Sequence, residues 1–260
     1  MIKTDRNFDD LTDRFAKNIY GSAKGEVRLA IVWEHLLRTL PQLTAGRPLR
    51  ILDAGCGLGQ MGLKLAKLGH ELVLSDISEK MVNETKKLFE NEACKSSVTF
   101  LHKPVQALSA DELETFDLIL FHAVLEWLAD PEKTLHHVSS LIKSDGHLSL
   151  MFYNRDALVF RNLIRGNWRK AESDNLQGDE GGLTPYHPLS LDSVQSWLDQ
   201  WGYKTLSRAG VRVIYDYMER RIRDKRPIEE IVRIEMKYAQ HEPYLHMGRY
   251  LHVIAKKQPS

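Results

Sequence analysis

The stretch Leu52-Asp53-Ala54-Gly55-Cys56-Gly57-Leu58-Gly59-Gln60 (LDAGCGLGQ) sets three closely spaced glycines between an apolar run and an amphipathic one. Glycines this crowded mean that backbone must turn with φ > 0 or come close to a ligand. The preceding LRILDAG reads as a short buried strand. The following GQMGLKLAKLG reads as a helix, with Gly69 as the stop just past its end. A turn from strand through glycines into a helix is where open α/β sheets hold nucleotide-like ligands. The spacing here is Gly55-x-Gly57-x-Gly59, with Gln60 where the dinucleotide pattern G-x-G-x-x-G would put its last glycine.

Two acids sharpen the reading. Asp53 stands just ahead of the loop, and Asp76 closes the next apolar run, ELVLSD, 21 residues after Gly55. A carboxylate at that second position accepts both hydroxyls of a ribose. A carboxylate at the first suits an ammonium better than a pyrophosphate, and no lysine or arginine flanks the loop to meet phosphate. Together these fit S-adenosyl-L-methionine: the backbone of Gly55, Cys56 and Gly57 approaches the methionine part, Asp53 supports the ammonium, and Asp76 takes the ribose. His122, in FHAVLEWLADP after a further apolar run, falls where the sulfonium would be covered. His136 and His137 sit on a helix and read as structural or exposed. No Cys/His set has metal spacing, so no metal is expected.

Outward from the loop, helices and strands alternate. A helix fits Val27–Leu40. Strands fit ELVLSD, VTFLHK, FDLILFHA and HLSLMFY, separated by helices EKMVNETKKLFE, capped by Ser78, and PEKTLHHVSSLI, capped by Asp130 with Pro131 at its first position. The pattern predicts a doubly wound, mostly parallel, Rossmann-like sheet of seven strands. YKTLSRAG and YLHVIAKK are its sixth and seventh strands, expected as a hairpin-like edge pair after a helix at 189–202. One domain spans 1–260, with insertions near 155–187 and 212–247 that follow strands and shape the substrate side.

Composition is that of a packed globular chain, 43% hydrophobic and 27% charged. No apolar run reaches 18 residues and the first residues lack a secretory h-region, so no membrane span is expected and the chain reads as cytoplasmic. Cys56 and Cys94 read as free thiols. Net charge is only +1, but residues 151–260 hold 18 Lys and Arg against 14 Asp and Glu. Arginine interleaves there with aromatics, as in FRNLIRGNWRK and GVRVIYDYMERRIRDKR, which is compatible with an anionic macromolecule. The residues alone also leave open a small-molecule methyltransferase and a non-catalytic S-adenosylmethionine-binding module.

DRNFDDLTDRFAKNIYGSAKGEVR, LDAGCGLGQ, LFHAVLEWLADP, LSLMFYN, GVRVIYDY and EPYLHMGRYLHVIA together resemble the bacterial tRNA 5-carboxymethoxyuridine methyltransferases, a class I S-adenosylmethionine-dependent family, over almost the whole chain. The resemblance implies methyl transfer to the carboxylate of 5-carboxymethoxyuridine at the tRNA wobble position, with the anticodon loop as substrate. It also implies cofactor contacts at Arg28, Gly55, Cys56, Asp76, His122 and the adenine-side pair Val105 and Gln106. Cys56 replaces a frequent glycine, which a backbone contact tolerates. The acceptor is already ionised at neutral pH, so no general base is needed, and proximity can supply roughly 7–11 kcal/mol. Donors that orient a carboxylate are tyrosine and arginine. The candidates are Tyr20, Tyr153, Arg212 and Arg249. Arg161, Arg165, Arg169, Lys170, Arg220, Arg221, Arg223, Lys225 and Arg226 are candidates for tRNA phosphates.

Overall fold

Apolar runs without polar alternation, such as ILDA, LVLS and LILF, must be covered on both faces, and they form the middle of one sheet. The structure, a computed structural model, describes residues 4–7, 9, 22–92, 94, 96–173, 176 and 185–259. In chain order its elements are α1 (Ala23–Thr39), β1 (Arg50–Ala54), α2 (Gln60–Lys67), β2 (Glu71–Asp76), α3 (Glu79–Asn91), β3 (Val98–His102), α4 (Ala110–Leu113), β4 (Phe116–His122) and α5 (Pro131–Ser140). Then follow β5 (Ile142–Tyr153), α6 (Arg155–Ile164), α7 (Trp168–Glu172), α8 (Leu191–Gln200), β6 (Tyr203–Val211), α9 (Arg220–Arg223), α10 (Ile228–Tyr238) and β7 (Tyr250–Lys257).

The sheet order is β3-β2-β1-β4-β5-β7-β6. The first five strands pair in parallel, with Leu52 of β1 opposite Val73 on one side and Ile119 on the other. β7 runs antiparallel to both β5 and β6. The expected antiparallel edge pair therefore forms, joined by the long segment between Val211 and Tyr250 and not by a tight turn. β7, with LHVIA buried, lies inside the sheet, and of these two strands β6 is the one at an edge.

The caps read from sequence are present: Ser78 accepts from the Met81 amide and Asp130 from the Lys133 amide. One apolar layer contains Leu52, Phe121, Leu135, Leu150, Phe152 and Leu198. The other, under α1, contains Val27, Ile31, Leu36, Leu118, Leu120 and Ile254. Because β6 runs parallel to β5, the segments after Tyr153 and Val211 leave at the same carboxyl edge as the glycine loop. Among the described residues no helix is long and apolar enough to cross a membrane.

Candidate functional site

The loop behaves as its glycines require. Gly55, Gly57 and Gly59 have φ of 73°, 55° and 67°, a region closed to most side chains. A Cβ on Gly55 would come within 2.5 Å of Val124 Cγ2, and one on Gly59 would collide with Thr85. The Gly55 and Cys56 amides both donate to the Ser75 carbonyl, at 2.8 and 3.0 Å. The Gly57 amide donates to Asp76 Oδ2 and the Ser78 amide to Oδ1, each at 2.9 Å. Asp76 thus ties the loop to the end of β2, and a carboxylate has lone pairs left for two hydroxyls.

A cleft opens above the loop. It is lined by Arg28, Asp53, Gly55, Cys56, Gly57, Asp76, Val105, Gln106 and His122, so every expected cofactor residue meets there. Burial, then the Asp76 charge, pushes Asp53 up to about 7, while the Gly62 amide opposes. Burial also raises Asp76, against the Ser78 and Gly57 amides. Two acids held this way match a ligand that brings a positive charge and hydroxyls. Burial raises the Cys56 thiol far enough to keep it protonated, so Cys56 offers backbone. His122 is held down to about 3 by burial and by Arg28, so its ring is neutral.

The sequence reading missed part of this cleft. Asp5 and Arg6 line it, as do Trp127, Leu128, Met81 and Met151. Asp5 Oδ1 accepts from the Ala129 amide at 2.8 Å, and Asp5 Oδ2 from Gln106 Nε2 at 2.7 Å. The Gln106 amide nitrogen therefore fastens the N-terminal segment, and it also donates to Thr134 Oγ1 at 3.3 Å. No local pattern marks such a contact, which joins positions 101 residues apart.

A second polar cluster adjoins the cleft. Asn154, fully buried at the end of β5, caps α6 and donates to the carbonyls of His246 and Gly248. This brings Arg249 beside Tyr153, with Nη1 donating to the phenol oxygen at 2.8 Å. Glu235 on α10 accepts from the amides of Val213, Ile214 and Tyr215, fixing the turn after β6. That turn holds Arg212 at φ 62° and brings Asp216 within 3.1 Å of Arg212 and 3.2 Å of Arg249. Burial would raise Asp216, but the two guanidiniums outweigh it and hold it low. Lys24 and Arg161 also feel this group, so one acid faces a surplus of cations. Arg212 Nε and Arg161 Nε are buried with no partner among the described residues. Tyr250 joins the two sites: the Arg28 guanidinium lies 5.9 Å from its ring centroid and that of Arg212 5.4 Å.

The sequence candidates thus divide. The nine cofactor candidates share the cleft, whereas Tyr153, Arg212 and Arg249 form the neighbouring cluster. Tyr20 lies outside the described residues. The phosphate candidates divide too. Arg220, Arg221, Arg223 and Arg226 are ion-paired with acids of their own segment. Arg165, Arg169 and Lys170 lie instead beside the exposed side chains of Phe160, Leu163, Ile164 and Trp168.

Known proteins agree with this architecture. The methyltransferase-domain family matches residues 24–208. The tRNA 5-carboxymethoxyuridine methyltransferase of Escherichia coli O157:H7 is 39% identical over 257 residues, covering 98% of each chain. The ubiquinone biosynthesis O-methyltransferase of Xanthomonas axonopodis pv. citri (strain 306) is 29% identical, over 45% of this chain. Among solved structures, the magnesium protoporphyrin IX methyltransferase of Synechocystis PCC 6803 with bound SAH superposes with a TM-score of 0.66 at 17% identity, covering 96% of each chain. With a near full-length relative above 30% identity and the domain family across most of its sheet, the chain belongs to the tRNA 5-carboxymethoxyuridine methyltransferase family of class I S-adenosylmethionine-dependent enzymes.

Proposed function

We propose that the chain methylates the carboxylate of 5-carboxymethoxyuridine at the wobble position of tRNA, using S-adenosyl-L-methionine and yielding the methyl ester. When bound, the cofactor supplies an electrophilic methyl on a positively charged sulfur. The acceptor oxygen forms a bond to that carbon as the carbon–sulfur bond breaks, and no proton moves. The residues therefore have to bind, align and exclude water. In this reading Asp76 takes the ribose, Asp53 the ammonium, and Val105 and Gln106 flank the base, while Arg28 and His122 close the amino-acid side.

The observation that carries the substrate side is the pair of partnerless buried guanidinium nitrogens, Arg212 Nε and Arg161 Nε, in a cluster with surplus positive charge next to the cleft. Buried donors of this kind are costly unless an anion meets them, and a carboxylate is the anion the reaction brings. Tyr153 and Arg249 orient it. Asp216 keeps the cluster from binding it so tightly in the ground state that the barrier rises. In the same reading the described parts of the insertions at 155–187 and 212–247, α6, α7 and α10 among them, wall the substrate site of a single domain. The wobble base enters unstacked from a single-stranded anticodon loop. Its flanking nucleotides lie along α6 and α7, where Phe160 and Trp168 can stack bases and Arg165, Arg169 and Lys170 can meet phosphates. Such an enzyme works in the cytoplasm, where tRNA is.

The ubiquinone biosynthesis O-methyltransferases match less than half of this chain, whereas the tRNA 5-carboxymethoxyuridine methyltransferase matches 98% of it. Nucleoside analysis of tRNA from cells lacking this protein tests the reading. Accumulation of free 5-carboxymethoxyuridine in place of its methyl ester supports it, and an unchanged ester content refutes it.

A further inference from the structure

A row of polar side chains crosses the apolar layer between α1 and the sheet. His122 Nε2 lies 2.8 Å from Ser149 Oγ, which lies 2.8 Å from His252 Nε2. His252 Nδ1 lies 2.8 Å from His35 Nδ1, and His35 Nε2 lies 2.8 Å from Ser207 Oγ. Gln240, exposed at the far end, donates its Nε2–H to Ser207 Oγ at 2.8 Å. The row thus runs from the cleft across β4, β5 and β7 to the surface at β6. Burial holds His122 to about 3 and His35 to about 4 and lowers His252 well below its usual value, so all three rings are neutral at pH 7.

A neutral imidazole has one N–H, so each link dictates the next. Gln240 occupies one lone pair of the Ser207 oxygen, which keeps a second lone pair and one proton, so the row has two polarities; in one of them Ser207 donates to His35 Nε2. His35 then carries its proton on Nδ1 and gives it to His252 Nδ1. His252 donates from Nε2 to Ser149, and Ser149 donates to His122 Nε2. In that polarity the proton of His122 sits on Nδ1, whereas the reverse polarity would put it on Nε2.

We propose that Gln240, Ser207, His35, His252 and Ser149 are positioning residues that fix His122 in its Nδ1–H tautomer, aiming a donor, beside Arg28, at a carboxylate in the cleft. That carboxylate belongs either to the amino-acid end of the cofactor or to the substrate. The inference rests on this cleft being the cofactor site. A purely space-filling layer would need none of these groups, and each of them, if orphaned, is costly.

Two variants cut the row: Ser149→Ala at the cleft end, and Ser207→Ala near the surface, where little else is disturbed. Long-range proton–nitrogen NMR of histidine-labelled protein reads the tautomer of His122. Calorimetry with S-adenosylhomocysteine and with methylthioadenosine, which lacks the carboxylate, reads binding. Wild type should show one Nδ1–H form, both variants should shift it, and Ser149→Thr should restore it. A roughly tenfold loss for S-adenosylhomocysteine, with methylthioadenosine unchanged, assigns the donor to the cofactor. Unchanged binding with a similar fall in kcat/KM for tRNA assigns it to the substrate. If wild type binds but the His122 tautomer is the same in both variants, or stands as Nε2–H in wild type, the proposal fails and the cofactor reading stands. If wild type binds no S-adenosylhomocysteine, both fail.

Discussion

Replacing Asp76 with asparagine changes one oxygen to an amide and removes a charge, with almost no change in shape. Both carboxylate oxygens of Asp76 accept backbone amides, from Gly57 and Ser78 at 2.9 Å. An asparagine can keep only one of these, because its NH2 meets the other amide donor to donor. A hydrogen bond to a charged acceptor contributes about 1.5–3 kcal/mol. The free protein should therefore lose about that much stability, or about 3–12 °C in Tm at about 2–4 °C per kcal/mol for a chain of this size. The cofactor loses a charged acceptor for its ribose as well. A further loss of about 1.5–3 kcal/mol is a 10- to 150-fold weaker Kd. Thermal denaturation without ligand and calorimetry with S-adenosylhomocysteine separate the two effects. A lower Tm with Kd within about twofold of wild type would make Asp76 a loop anchor only and refute its ribose role. No change in either would refute the reasoning about the loop itself.

Arg249→Met should cut kcat/KM for tRNA by about 10- to 100-fold while leaving the cofactor Kd within about twofold, as expected for a lost charged contact to substrate; steady-state kinetics and calorimetry together check this, and equal damage to both would make Arg249 structural. Cofactor affinity should rise with pH between about 6 and 8 and then flatten. Asp53, at about 7 in the free protein, must lose its proton to meet a cation, and titration in buffers of different ionisation heat would detect the released proton. The same raised Asp53, with Glu126 pushed by burial to about 8, gives the opposite slope to stability of the free protein. Their contribution is full below the unfolded carboxyl values and is lost as pH rises through 7 and 8, so Tm without ligand should fall from pH 5 to pH 8. Replacing Arg165, Arg169 and Lys170 together with glutamine should weaken tRNA binding and flatten the slope of log K against log salt by about 2, at about 0.7 per single-stranded phosphate contact; an unchanged slope would move the RNA path elsewhere.

The loop side of the cleft was legible because each part of it is local. Gly55, Gly57 and Gly59 need φ > 0 within one turn, Asp53 and Asp76 end adjacent strands, and alternating apolar runs dictate a parallel sheet. The order of the last two strands was not legible. Nothing in YLHVIAKK says whether it pairs outside β6 or inserts beside β5, since both places want an antiparallel apolar strand. The substrate side was half legible. Arginines and tyrosines stood out as residue types, but their grouping depends on Glu235 capturing three amides and on Asn154 stitching β5 to the turn before β7. Those contacts join segments about 20 and about 90 residues apart. The row from His122 to Gln240 was invisible for the same reason: its members lie on α1, four strands and a loop, and His35 meets His252 across 217 positions.

The most direct measurement is single-turnover methylation of purified tRNA carrying 5-carboxymethoxyuridine, with labelled cofactor and mass analysis of the released nucleosides. Label is expected in an alkali-labile methyl ester at the wobble nucleoside, and none on tRNA whose wobble uridine lacks the carboxylate. Tight cofactor binding with no label on the acid-bearing tRNA, or equal labelling of both tRNAs, would contradict the proposed methylation.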